Sequence, residues 1–250
     1  MRVVALGASN LTRGLATLVA TARARWGREV EILAALGHGR SYGAESRFLA
    51  RSLPGILDSG LWAELDSAPP AQTRALVTDV GNDILYGASA TRTLAWVEEC
   101  VRRLQRRTDD VVLTDLPLAS IRPVSRSRFL FFRTLFVPGC RLPLAEVKQR
   151  AERVSSGLAG LAAARGLRLV RPRPEWYGAD PIHIRRRLRR AAWSEILGGE
   201  QQDAEPRGPS LAETIQIRLM RPESRRLFGI ERRCRQDGRH LRLGGSVKLY

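Results

Sequence analysis

The sequence predicts an α/β fold with a parallel sheet covered on both faces. Three observations carry this expectation. Five short apolar runs of strand length alternate with longer segments whose apolar residues recur at helical spacing. Such alternation implies crossover connections, which bury both faces of a sheet. Polar, glycine-containing segments follow the first, second, third and fifth runs, the end of a parallel sheet where ligands bind. Composition agrees: 250 residues, 44% hydrophobic and 27% charged, suit one globular domain of ordinary size with a small addition.

Residues 2–6 (RVVAL) form the first expected strand. Residues 12–26 follow as a helix, with Leu15, Leu18, Val19 and Ala22 at helical spacing. Residues 29–36 (EVEILAAL) form the second strand, ending in the loop GHGRSYG. Residues 44–53 read as a helix that stops at Pro54. Residues 74–80 (RALVTDV) form the third strand and run into Gly81-Asn82-Asp83. An amphipathic helix over 91–107 leads to the fourth strand, 110–116 (DVVLTDL). A long helix over 143–165, a short fifth strand over 167–170 and a last helix over 183–197 complete the main domain, 1–197. Residues 198–210 (GGEQQDAEPRGPS) read as a linker. Beyond it, IQIRLM, RRLFGIE, RHLRL and SVKLY alternate at strand spacing, so 211–250 is expected to be a small basic β appendage.

The net charge is +17, yet of 42 basic residues only Lys148 and Lys248 are lysines. That skew reads as a compositional bias toward arginine, and no nucleic-acid-binding motif accompanies it. Weak, sequence-blind attraction to polyanions follows from the charge alone, and no specific nucleic-acid partner is expected. No apolar run approaches the roughly 20 residues that span a bilayer. The apolar residues 1–7 are too short for a secretory core, so a cytoplasmic location is expected. Cys100, Cys140 and Cys234 are odd in number and match no disulfide or zinc spacing. Neither metal nor cofactor is expected.

Three histidines, His38, His183 and His240, are available as a general base. His183 closes the turn Asp180-Pro181-Ile182-His183 after the fifth strand, where a carboxylate three residues earlier can fix the imidazole tautomer. Ser9 lies in Gly7-Ala8-Ser9-Asn10 after the first strand, at the start of a helix whose free N–H groups favour negative charge. Alone it would read as a helix-cap serine. Gly43 and Asn82 offer a backbone and a side-chain donor for an oxyanion, with Gly39 an alternative in the same loop.

In order and in strand context these segments resemble the SGNH (GDSL-type) hydrolase superfamily over about residues 1–197. Gly7-Ala8-Ser9 is similar to its first block, Gly43 to its second-block glycine, Gly81-Asn82-Asp83 to its third block and Asp180 to His183 to its fifth. One departure is Ala8, where the family usually carries aspartate. The resemblance implies a three-layer αβα sandwich around a five-stranded, flavodoxin-like parallel sheet. It also implies metal-free hydrolysis of small-molecule carboxylic esters or thioesters. Ser9, His183 and Asp180 would form the triad, and Ser9, Gly43 and Asn82 the oxyanion hole.

Other readings compete. Gly39-Arg40-Ser41-Tyr42-Gly43 fits the nucleophile elbow of α/β-hydrolases, which would make Ser41 the nucleophile, but only one strand precedes it. A relative that binds ligands without turnover would carry the same motifs. Nucleotide binding at GASNLTRG is disfavoured, because no phosphate-loop lysine follows. Finally, residues 117–142 form a long connection after the fourth strand. If residues 129–136 are helical, Phe129, Phe132 and Phe136 share a face, which either packs on the sheet or walls a substrate pocket.

Overall fold

The computed structural model describes residues 1–48, 50–198, 208–237 and 240–250, and of these the side chains of Phe48, Leu135 and Phe136 lie outside the description. Most of the expected linker therefore lies outside the described residues.

The chain opens with strand β1 (Arg2–Leu6), helix α1 (Ser9–Trp26) and strand β2 (Glu31–Ala35). A hairpin of β3 (Ser46–Phe48) and β4 (Arg51–Leu53) follows, then α2 (Leu61–Ser67) and β5 (Thr73–Val77). Next come α3 (Asn82–Leu85), α4 (Ala90–Gln105), β6 (Val111–Thr114), α5 (Leu118–Ile121) and α6 (Arg126–Phe136). The long α7 (Leu144–Arg165) leads to β7 (Arg168–Val170) and α8 (Arg189–Ile196). The last elements are α9 (Leu211–Leu219), β8 (Ser224–Leu227), β9 (Ile230–Arg233) and β10 (Ser246–Leu249).

All five expected strands form, and they pair in parallel in the order β2-β1-β5-β6-β7. A sixth strand extends the sheet. β10, expected in the appendage, pairs in parallel with β2, with Val247 opposite Ile32. Val247 and Leu249 are buried, so covering the open edge of β2 also removes apolar surface from water.

The period of two along each strand divides the core into two layers. Val4, Leu6, Leu33, Ala75 and Val77 pack with residues of α2, α4 and α7, among them Leu65, Val97, Val101 and Leu158. Val3, Ala5, Ile32, Ala34 and Leu76 face Leu11, Leu15 and Leu18 of α1, Trp193 and Ile196 of α8, and Ile217 of α9. The molecule is thus an αβα sandwich, with a small antiparallel sheet, order β3-β4-β8-β9, beside it.

Three local expectations are corrected. The helix expected over 44–53 is replaced by the paired strands β3 and β4, because β4 finds a strand partner distant in sequence: Arg51 lies opposite Leu227 of β8. Tertiary pairing overrides a helical pattern this short. Ile215 to Leu219 of IQIRLM belong to helix α9 instead of a strand, and Met220 caps it. Ser210 accepts from the Glu213 N–H at 3.2 Å, and the buried Glu213 carboxylate pairs with Arg23 of α1. The Ser-x-x-Glu start of that helix outweighs three alternating residues. The last main-domain helix starts at Arg189, which leaves His183 in an irregular loop ahead of it.

Candidate active site

β1 delivers the chain directly to the start of α1, and Ser9 is that helix's first residue. Its hydroxyl lies 2.8 Å from His183 Nε2. On the other side of the ring, Nδ1 lies 2.5 Å from Asp180 Oδ2. Asp180 Oδ1 also accepts the backbone N–H groups of Ile182 (3.2 Å) and His183 (3.3 Å), so one carboxylate holds both the turn and the ring. Burial alone would raise the Asp180 pKa. The His183 hydrogen bond and charge, the Ile182 N–H and the Arg13 guanidinium 4.0 Å away outweigh it and hold the carboxyl below its ordinary range. The structure brings together Ser9, His183 and Asp180 across some 170 residues of sequence.

The loop carrying His183 is fixed from three sides. The Arg185 N–H donates to the Trp176 carbonyl at 2.8 Å, closing its base. Arg128 of α6 donates to the carbonyls of Gly178 (2.9 Å) and Ala179. The third hold is Asn10, which the motif reading missed. Its amide Nδ2 donates to the Ile182 carbonyl and to Asp79 Oδ1, both at 2.8 Å, while its Oδ1 accepts the Ile184 N–H at 2.8 Å. Asn10 therefore grips the residues immediately before and after His183.

Asp79 was missed as well. Its backbone has a positive φ of 59°, and its Oδ2 accepts the N–H groups of Ala8 (2.8 Å) and Leu11 (3.0 Å). Ala8 supplies no side-chain cap to α1, and Asp79 provides that carboxylate from the end of β5. The signal was a carboxylate within the run RALVTDV, two positions before Gly81.

The second loop separates the remaining candidates. Ser41 is fully buried; its hydroxyl donates to Asp83 and accepts the N–H groups of Gly43 (3.2 Å) and Ala44 (2.9 Å). It braces a turn, and among the described residues no histidine bonds to it. Asp83 also accepts the Tyr42 N–H, and burial raises its pKa despite these donors. The Gly43 N–H is already engaged by Ser41, and a Cβ at this position would lie 2.1 Å from the Trp96 ring. The glycine is there for that close approach. Gly39 has a different setting: it adopts a positive φ of 67°, its carbonyl accepts the Tyr86 hydroxyl at 2.6 Å, and its N–H has no partner among the described residues. The Asn82 amide reaches the neighbouring Arg40 carbonyl at a long 3.4 Å. In the same loop as Gly39, burial and then Arg13, Arg51 and His183 push the pKa of His38 down to about 4.

A cavity of about 180 Å³ opens beside Ser9 and Asn82. Its far wall is apolar and includes Val124, Phe129, Phe132, Val137 and Val147. Phe129 and Phe132 come from α6, so the helical condition on their sharing a face is met. The Phe136 side chain lies outside the described residues. Among the described residues no cluster of three metal-ligating side chains occurs, and no helix is long and apolar enough to cross a membrane.

No family model and no curated protein matches this sequence. Solved structures do. A member of the lipolytic protein G-D-S-L family from Veillonella parvula is similar at 12% identity over 78% of this chain and 96% of its own, with a TM-score of 0.49. The psychrotrophic esterase EstA from Pseudoalteromonas sp. is similar at 11% identity over 78% and 93%, again with a TM-score of 0.49. AlinE4, an SGNH-hydrolase family esterase, is similar at 19% identity over 74% and 87%, with a TM-score of 0.42. Likeness at this distance leaves the chemistry to be argued from the arrangement of Ser9, His183 and Asp180 themselves.

Proposed function

We propose that this chain is a serine hydrolase of the SGNH type that cleaves carboxylic esters or thioesters. The observation that carries this reading is the chain of hydrogen bonds from Ser9 Oγ through His183 to Asp180, set at the mouth of an apolar cavity. In the first step Ser9 Oγ attacks the carbonyl carbon and its proton passes to His183 Nε2, while Asp180 holds the Nδ1 proton. Negative charge develops on the carbonyl oxygen. The N-terminus of α1 with the free Ser9 N–H, the Asn82 amide and the Gly39 N–H are the donors available to it. His183 then protonates the departing oxygen or sulfur, and a water repeats the sequence to release the acid. Turnover of a series of nitrophenyl esters tests the proposal, and its absence at every acyl length would overturn it.

Asn10 is a positioning residue in this scheme. Asn10→Ala should lower kcat about a hundredfold with little change in KM, because displacement of a base by about 1 Å costs that much. Asn10→Asp should not rescue, since a carboxylate cannot donate to Asp79 or to the Ile182 carbonyl. Loss confined to the melting temperature, with kcat intact, would reduce Asn10 to a structural staple.

The apolar wall is the acyl side of the site. Phe132→Ala should lower kcat/KM for hexanoyl and octanoyl esters selectively while acetyl ester turnover is retained. Each buried CH₂ is worth about 0.8 kcal/mol, close to fourfold. Uniform loss across acyl lengths, with a lower melting temperature, would assign Phe132 to the core.

A further inference from the structure

A second cavity, of about 1230 Å³, adjoins the same catalytic group and shares no lining residue with the apolar one. The sequence around the site divides between them. Asn10, Ile182 and Ile184 line the first; Thr12, Arg13, Gly37 and His38 line the second. Arg13 stands 4.0 Å from Asp180, so the second cavity begins one side chain from the triad.

Its wall mixes arginines with apolar residues such as Leu15, Ile217 and Met220. Arg13, Arg51, Arg186, Arg187, Arg189 and Arg218 line it, and no aspartate or glutamate does among the described residues. Some arginines elsewhere on the molecule are matched with carboxylates, among them Arg2 with Glu31, Arg103 with Glu99, Arg107 with Asp66, Arg150 with Glu146 and Arg165 with Glu98. Within the cavity Arg51, Arg186, Arg187 and Arg218 make no ion pair among the described residues. Arg189 donates to the Arg13 carbonyl at 2.9 Å. Burial and then the charges of Arg13, Arg186 and Arg218 lower the Arg189 pKa, as like charges held together do.

We propose that this cleft binds phosphate groups carried on the leaving half of the substrate. The proposal rests on the ester-hydrolase reading for the word substrate, and on the cleft alone for the phosphate. Guanidinium forks converge from α1, β4, the turn before α8, and α9, and each can hold phosphate oxygens in pairs. A cavity of this size has room for a nucleotide or a phosphorylated headgroup. The acyl chain occupies the apolar cavity and the acyl–oxygen or acyl–sulfur bond lies over Ser9. When that bond breaks, the alcohol or thiol takes its proton from His183 and departs on the arginine side. Water supplies the hydroxyl of the released acid.

The test has a binding arm and a turnover arm. Adenosine diphosphate is titrated into Ser9→Ala protein by calorimetry, with and without the double substitution Arg187→Ala and Arg218→Ala, both at exposed positions. Binding that weakens roughly tenfold or more in the double variant supports the cleft. No binding, or binding indifferent to the arginines, overturns it. A single-stranded oligonucleotide that displaces the diphosphate at physiological salt also overturns it, in favour of nucleic acid. The turnover arm compares octanoyl-coenzyme A with octanoyl-N-acetylcysteamine, and 1-octanoyl-glycerol 3-phosphate with 1-octanoylglycerol. A preference of roughly tenfold for the phosphorylated member of either pair is expected, falling toward unity in the double variant, and the pair that shows it identifies a nucleotide thiol or a lipid headgroup as the source. Equal kcat/KM within both pairs overturns the proposal and leaves the hydrolase intact. Arginine-dependent diphosphate binding with no ester turned over supports the cleft and sinks the hydrolase reading instead.

Discussion

Ser9→Ala protein is expected to lose about a millionfold in kcat on nitrophenyl esters while keeping its melting temperature. The size follows from the hydrogen-bonded unit: without the hydroxyl, His183 has nothing to deprotonate, and only the oxyanion donors still act. His183→Ala should be comparably inactive. Asp180→Asn should cost less, on the order of ten-thousandfold, because the ring keeps a partner but is held in the wrong tautomer. Asp180 stays charged through the neutral range, since its partners keep its carboxyl below the ordinary value despite burial. Ser41 provides the contrast. Ser41→Ala should retain turnover and lose about 1–3 kcal/mol of stability, because the buried Asp83 carboxylate and the Ala44 N–H lose their shared partner. An inactive but fully stable Ser41→Ala protein beside an active Ser9→Ala protein would reverse the assignment.

The parallel sheet was legible because each of its first five strands is a short apolar run, which periodicity detects without knowledge of partners. The sixth was legible as a strand in SVKLY but not as a member of this sheet, since nothing local in 246–249 specifies β2 as its neighbour. The same limit misplaced residues 44–53, whose strand state depends on β8 nearly two hundred residues later. In the candidate site, Ser9, Asp180 and His183 could be singled out because each sits at a fixed place relative to a strand end, and the structure brings the three into hydrogen-bond contact. Asn10 and Asp79 could not, because their importance lies in what they hold: an asparagine after a serine acquires meaning only when the His183 loop closes on it. Gly43 was chosen over Gly39 by motif position. What separates them is which N–H is already occupied, and a sequence does not contain that.

Asn82→Ala should lower kcat by about a hundred- to a thousandfold and leave KM nearly unchanged. The carbonyl oxygen is neutral in the bound ester and carries charge only as Ser9 Oγ adds, so a donor aimed at that point stabilises the transition state far more than the ground state. Asn82 lines the same cavity as Ser9, and its amide makes only one long contact, at 3.4 Å, within the protein. A donor so weakly committed remains available to the oxyanion, and losing one such group costs roughly 3 kcal/mol. The backbone donors are tested through their glycines. Gly39→Ala places a Cβ 2.6 Å from the Tyr86 hydroxyl at a positive φ, so it should shift the loop and lower kcat. Gly43→Ala drives a methyl into Trp96, so it should lower stability first. Paired with Tyr86→Phe to relieve the clash at residue 39, these variants separate loop position from packing. If Asn82→Ala raises KM alone, or if Gly43→Ala lowers kcat at unchanged stability while Gly39→Ala does not, the donors lie elsewhere than Asn82 and Gly39.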